Sequence, residues 1–514
     1  MLFSSLSYLL FLPVACLIFW LLPAAKVGGR FKVDLRSAFL LVSSYYFYMS
    51  WIPVYGVLLF TLTLANYFLG QLIYSALSGS AHRAKAILVL GIILNLLTLS
   101  YFKYTDFAIS SWNAAIAHVA FLAPYLGLHA NSALNFPLQH VLLPLGISFF
   151  VFEFIHYIAD VYKGGKPIAN FVNFSLFAAF FPSQIAGPIK RYQDFIKQLE
   201  VPRVFSGTQC ERGIVLLLQG LFKKVALADN LSPIAAQGFA HATALGAGEA
   251  WIAALAFAAQ IYCDFSGYTD MGRGSAMLMG FDLPDNFNWP YLSRSLTEFW
   301  KRWHISLSSW LRDYLYIPLG GSKCSLPRRH FNLLMTMLLG GLWHGASWHF
   351  VVWGAFHGLG LIVNHTYDNA LKTGSNALTS GLKAFHQSAL GAAFSTVFTF
   401  LFVLVGWVFF RAETMDSALD ILKAMVSPMV ASNYLAETME KHPIFAALAI
   451  YAVYRLLWDN ASRLFAPSYQ KLPALLRRAI APMLPARLVI YVSIFVMAIG
   501  LAPATASPFI YFAF

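Results

Sequence analysis

Residues 54–103 read VYGVLLFTLTLANYFLGQLIYSALSGSAHRAKAILVLGIILNLLTLSYFK. Two apolar runs, 54–74 and 86–103, flank a short basic stretch holding His82, Arg83 and Lys85. Each run is near the length of about 20 residues that a membrane-spanning helix needs. The same alternation covers the chain, with further runs at 6–23, 35–51, 141–161, 171–187, 212–230, 249–266, 331–346, 348–366, 388–410, 444–459 and 488–503. Composition agrees. Apolar residues are 59% of the 514 and charged residues 11%, against roughly 25% charged in a soluble domain. Such a chain has too little charge to cover its surface in water. The net charge of +13 sits in clusters between the runs, as in a multi-spanning membrane protein, and does not form a nucleic-acid-binding surface. Cys16, Cys210, Cys263 and Cys324 make no CxxC pair, so neither a disulfide framework nor a zinc ribbon is indicated.

The basic residues orient the runs. No Lys or Arg precedes residues 6–22, so this run is expected to stay as the first helix rather than to be cleaved. Lys26, Arg30, Lys32 and Arg36 place the next loop in the cytoplasm and the N-terminus outside. The stretch 105–140 has no Lys or Arg and reads as an outside loop, with Lys163 and Lys166 marking re-entry. Segment 171–187 has cytoplasmic signals on both sides: Lys163 and Lys166 before it, Lys190, Arg191, Lys197 and Arg203 after it. The pair 331–366 likewise lies between Arg328–Arg329 and Lys372. Both read as in-and-back segments, which are tolerated only inside protein or along a cavity. Residues 411–443 fit the outside and 460–487 the cytoplasm, so the tail 504–514 emerges outside. The expectation is an all-α polytopic membrane protein forming a single domain over 1–514, with its core at about 141–366.

Histidines carry the chemistry. An ionisable side chain in mid-bilayer costs at least about 2.5–3.5 kcal/mol and therefore calls for a function. His344 stands in LLGGLWHGASWH, 338–349, among Gly340, Gly341 and Gly345. These glycines are expected to leave room for a ligand to approach the backbone. Burial favours a neutral imidazole able to accept a proton; hydrogen bonding across helices is the alternative role. His349 and His357 read as packing. In SLTEFWKRWHIS, 295–306, continuing to Pro318, the residues Phe299, Trp303, Trp310 and Tyr314 recur at helical spacing. One interfacial amphipathic helix is expected. Its Lys301, Arg302 and Arg312 would form a cytoplasmic vestibule for an anionic donor, with His304 at its deep end. Asp264 and Asp270 end an apolar run and could orient a histidine or pair with nearby arginines, structural ion pairing being the first reading. Glu153 and His156, on one helix face, read as a similar structural pair. HExxH, GxSxG, Walker A and GxGxxG motifs are absent. A haem protein and a transporter remain as rivals.

The strings SLTEFWKRWHISLSSWLRDYLYIPLGG at 295–321 and LLGGLWHGASWHFVVWGAFHG at 338–358 resemble the membrane-bound O-acyltransferase (MBOAT) family. So do FSSLSYLLFLP at 3–13, YFKY at 101–104, LPLGISFFVFE at 143–153, FPSQIAGPIKRY at 181–192, CDFSGYTDMG at 263–272 and SPFIYFAF at 507–514. The resemblance implies a ring of about 11–13 transmembrane and re-entrant helices around a central funnel. It implies transfer of an acetyl group from a cytoplasmic thioester, acetyl-coenzyme A or an acyl carrier protein, with no tightly bound cofactor and no metal. The acetyl would pass across the inner (cytoplasmic) membrane of a bacterium to an exported polysaccharide, alginate first, with peptidoglycan or cellulose as alternatives. On this resemblance His344 is the catalytic base and His304 the second catalytic histidine. Lys301, Arg302, Trp303 and Arg312 serve the donor, Asp264, Asp270 and Trp343 support, and Tyr511 is either an acyl carrier or part of a docking tail. Periplasmic acetyltransferase subunits of the SGNH/GDSL type, with their own serine nucleophile, are the implied partners.

Overall fold

In a computed structural model of the chain, residues 1–23, 26–27, 33–122, 135–185, 187–428, 492–493, 495–503 and 507–510 are described. The expected helix at 444–459, the loop at 460–487 and Tyr511 lie outside the described residues. Among the described residues, one two-residue antiparallel pairing, Lys26–Val27 with Val33–Asp34, is the sole strand structure. The rest of the regular structure is helical. The order is α1 (Leu6–Leu21), α2 (Leu35–Met49), α3 (Val54–Leu77), α4 (Ala81–Leu122), α5 (Ile147–Tyr162), α6 (Phe171–Ala179), α7 (Phe181–Gln184), α8 (Tyr192–Glu200) and α9 (Gly207–Leu221). There follow α10 (Asp229–Ala240), α11 (Ala247–Leu278), α12 (Leu296–Arg302), α13 (Ile305–Leu311), α14 (Leu326–His344), α15 (Trp348–Thr373), α16 (Ala377–Gln387), α17 (Ala389–Arg411) and α18 (Met415–Val426).

Contacts divide the chain into two compact units. One comprises 1–205 and 279–399, the other 206–278 and 400–513. In the first unit α3 and α4 show why the surroundings must be lipid. Val57, Phe60, Phe68 and Leu72 of α3 are exposed, as are Val89, Leu90, Ile93 and Leu97 of α4. Polar residues point inward instead: Asn66 and Asn95, both fully buried, exchange side-chain hydrogen bonds of 3.1 and 2.8 Å. A helix in water has the opposite arrangement. Val54–Leu77, Ala81–His118 and Ala389–Arg411 are long and apolar enough to cross a membrane.

Three expectations are revised. The stretch 105–140 is not loop from its start: α4 continues to Leu122, so Lys103 and Tyr104 lie within a helix. The single amphipathic helix expected over 295–318 is instead α12, α13 and a π-helical turn at Arg312–Tyr316, broken at His304, whose backbone is left-handed (φ 43°, ψ 55°). Two of the three glycines near His344, Gly341 and Gly345, serve close contact rather than open space, while a Cβ at Gly340 would meet only the Leu311 side chain at 3.2 Å. A Cβ at Gly341 would come within 2.2 Å of the Phe350 carbonyl, and one at Gly345 within 1.9 Å of the Phe350 ring. Small residues let α14 and α15 pack as a close hairpin.

Within 171–187 the first helix, α6, is short. The nine residues of α6 rise about 13 Å at 1.5 Å each, less than half of a hydrocarbon core about 30 Å thick. Residues 174–185 are buried, which satisfies the requirement that such backbone lie within protein.

In the second unit α9 and α11 meet through glycines. A Cβ at Gly220 would lie 2.4 Å from the Gly267 carbonyl, and one at Gly274 2.6 Å from that of Gly213. Between α9 and α10, Phe222–Ala228 is π-helical. This turn carries two consecutive buried lysines, Lys223 and Lys224, both paired with acids of this unit.

Candidate active site

The first unit brings the two predicted histidines together. His304 is fully buried and His344 is 4% exposed, and their ring centroids are 6.5 Å apart. Trp343 lies beside both, 5.0 Å from the His344 ring and 6.1 Å from that of His304. Trp353 closes the other side at 5.2 Å from His344. Beyond it stands the buried His357, 4.9 Å from Trp353 and 5.2 Å from Trp300. Aromatic walls of this kind keep water from the imidazoles.

Each histidine is held by its element's end. His344 is the last residue of α14, and His304 precedes α13. The break at His304 is fastened by Asn286, a buried residue of the preceding loop. Its carbonyl accepts from the Ile305 N–H at 2.9 Å, and its Oδ1 from the Ser306 hydroxyl at 2.6 Å. Asn286 was not singled out from sequence; nothing in a lone loop asparagine announces such a contact. Behind the site Trp310 stacks on Phe152 at 3.7 Å and donates from Nε1 to the Phe152 carbonyl at 3.1 Å.

The cations divide. Lys301 is exposed, Arg302 pairs with Glu298 at 2.6 Å, and Arg312 pairs with Asp313 at 2.7 Å. Trp303 is buried and stacks on Phe299 at 5.7 Å. A cleft of about 340 Å³ opens next to α13, lined by Ile305, Ser306 and Ser309 together with Lys190, Arg191 and Asp285. Lys190 is 2% exposed and forms a buried pair with Glu153 at 2.8 Å. Arg191 reaches Asp313 at 2.8 Å. In the sequence Lys190 and Arg191 served only as topology markers.

Asp264 and Asp270 belong to the second unit, where their partners are lysines rather than arginines. Asp270 pairs with Lys223 at 2.5 Å, and Asp264 with Lys224 at 2.8 Å. Lys224 also meets Asp229 at 2.7 Å and donates to the Ser507 carbonyl at 3.0 Å. Asp264 accepts the Ile510 N–H at 2.7 Å, and Phe509 stacks on Tyr268 at 4.3 Å. The tail at 507–510 is therefore seated in this unit by both its backbone and its aromatic ring.

Comparison with known proteins follows the same lines. The family model for MBOAT, the membrane-bound O-acyltransferase family, matches residues 46–380. A probable alginate O-acetylase of Azotobacter vinelandii is 42% identical over 83% of this chain and 78% of its own length. The one from Pseudomonas aeruginosa is 42% identical over 83% and 75%. A peptidoglycan O-acetyltransferase of Helicobacter pylori is 34% identical over 81% and 78%. An all-helical chain with lipid-facing apolar helices, a buried histidine pair and these relatives is a membrane enzyme, and it belongs to the membrane-bound O-acyltransferase family.

Proposed function

We propose that this protein takes an acetyl group from a cytoplasmic thioester, acetyl-coenzyme A or an acyl carrier protein, and passes it across the inner membrane for O-acetylation of exported alginate. The observation that carries the reading is the enclosed pair His304–His344, 6.5 Å between rings, in a chain of this family. The donor enters by the cleft beside α13, which Lys190 and Arg191 line together with Asp194, Asp282 and Asp285.

His344 acts as general base. Its neutral imidazole takes the proton of the acceptor hydroxyl while the oxygen attacks the thioester carbonyl. The C–S bond breaks, and the imidazolium returns the proton to the departing thiolate, so ester and thiol form without net proton change. A base so placed contributes roughly 10²–10⁴-fold. His304 assists by holding the donor or the developing charge. Tyr511, directly after the seated residues 507–510, is the proposed intermediate acceptor. A periplasmic SGNH/GDSL-type subunit then moves the acetyl to the polymer.

The test uses membranes carrying the protein and a thioester labelled in the acetyl group. Label should appear as alkali-labile ester in protein and, with the periplasmic subunits present, in alginate. Polymer export without any ester formation would instead make the protein a transporter. Label in peptidoglycan and none in alginate would transfer the assignment to the reaction named for the Helicobacter relative.

A further inference from the structure

The end of α14 that carries His344 has no cap of its own. An α-helix leaves its last four carbonyls without intrahelical donors; here they belong to Gly341, Leu342, Trp343 and His344. The common local solution places the following residue in the left-handed region so that its N–H folds back. Gly345 does not do this: it is extended, with φ −158° and ψ 150°.

Donors come instead from α4. Lys103 Nζ donates to the carbonyls of Trp343 at 2.6 Å and His344 at 2.9 Å, from a position 240 residues before Trp343. The neighbouring Tyr104 hydroxyl donates to the Leu342 carbonyl at 2.8 Å. Three of the four open carbonyls are thus met by two adjacent side chains. The Lys103 ammonium also lies 5.9 Å from the centroid of the Trp343 ring, the ring that touches both histidines.

The chemistry suits a cation. A helix C-terminus carries about half a negative charge, and a charged donor bonds more strongly than a neutral one. A lysine on a helix whose outer face meets lipid is costly, and the helix end offsets that cost. Because the chain leaves α14 extended at Gly345, the last turn takes its carbonyl donors from another helix.

We infer that Lys103, aided by Tyr104, is a positioning residue for the reaction: it pins the last turn of α14 and thereby fixes where His344 presents its ring. The inference rests on His344 being the base, as proposed above. Displacement of a reacting group by about 1 Å can cost on the order of 10²-fold in rate.

The experiment uses the full-length protein in membranes with Lys103→Met, Lys103→Arg and Tyr104→Phe. Two quantities are measured: acetyl-transfer kinetics with the donor varied, and the rate at which diethyl pyrocarbonate modifies His344, followed by mass spectrometry of its peptide. The second needs no catalytic role for His344. Lys103→Met should lower kcat on the order of 10²-fold with the donor KM within about twofold, the mark of lost transition-state geometry, and should alter the modification rate. Lys103→Arg, whose forked donors reach two carbonyls, should recover most of the turnover. Unchanged modification and turnover in Lys103→Met would overturn the inference, as would a change confined to KM. Altered modification with unchanged turnover would overturn it by a different route, removing His344 from the chemistry while leaving the cap. Should Lys103→Met fail to accumulate, Tyr104→Phe carries the same two measurements, with a smaller fall in kcat expected and no change in either overturning the inference.

Discussion

The imidazole of His304 faces that of His344 at 6.5 Å between centroids and 59° between planes. One ring comes from the break between α12 and α13 and the other from the end of α14, and they meet because α12 stops short. At His304 the backbone enters the left-handed region (φ 43°), which turns α13 away from the line of α12 and leaves the imidazole inside.

That backbone gives a first prediction. A left-handed residue with a Cβ costs roughly 1–2 kcal/mol that glycine does not pay. His304→Gly should therefore unfold later than His304→Ala, by about 1 kcal/mol in denaturant titration of the detergent-solubilised protein, while both lose acetyl transfer. Equal stability of the two variants would count against strain at this position.

The Glu153–Lys190 pair gives a second. Both side chains are almost fully buried, 2.8 Å apart. Lys190→Met leaves a carboxylate without its partner and should destabilise by about 3–5 kcal/mol. Adding Glu153→Gln to it should restore much of the loss. A double variant no more stable than Lys190→Met would show that the pair is not coupled.

Helix contact between α14 and α15 gives a third. Gly341→Ala drives a methyl against the backbone carbonyl of Phe350 at 2.2 Å, whereas Gly345→Ala meets the side-chain ring of Phe350 rather than backbone. Overpacking costs about 1–3 kcal/mol, so Gly341→Ala should lower the melting temperature more than Gly345→Ala. Gly381→Ala, with open space around its Cβ in the exposed interior of α16, serves as the control and should raise it slightly.

The seated tail gives a fourth. Asp264 holds both Lys224 and the Ile510 N–H, and hydrogen bonds to charged groups contribute about 1.5–3 kcal/mol each. Asp264→Ala should release the last residues to carboxypeptidase, read by intact-mass spectrometry, and should reduce polymer acetylation. Tyr511→Phe should leave the tail protected and still reduce acetylation. Full acetylation in Tyr511→Phe would assign the tail to docking alone.

The helical membrane class was legible because lipid demands long apolar runs, and both His304 and His344 stood out as ionisable residues within or beside them. The shortness of α6 agrees with the reading from Lys163, Lys166, Lys190 and Arg191, which put cytoplasmic charge on both sides of 171–187. What escaped the sequence is what long-range contact decides. Lys103 looked like the end of a span, yet it sits inside α4 and reaches a helix end 240 residues away. Its lone charge at the end of an apolar run was the available signal. The helical spacing of Phe299, Trp303, Trp310 and Tyr314 concealed the break at His304, since each half keeps its own aromatic pair. Glycines around His344 have the same composition whether they admit a ligand or a neighbouring helix; only the position of Phe350 decides.

The most direct measurement of the central claim is acetyl transfer from labelled thioester in membranes containing His344→Ala, compared with the unaltered protein at equal abundance. Loss of at least about 10²-fold is expected, in a protein that still inserts and melts normally. Transfer at the unaltered rate would contradict it.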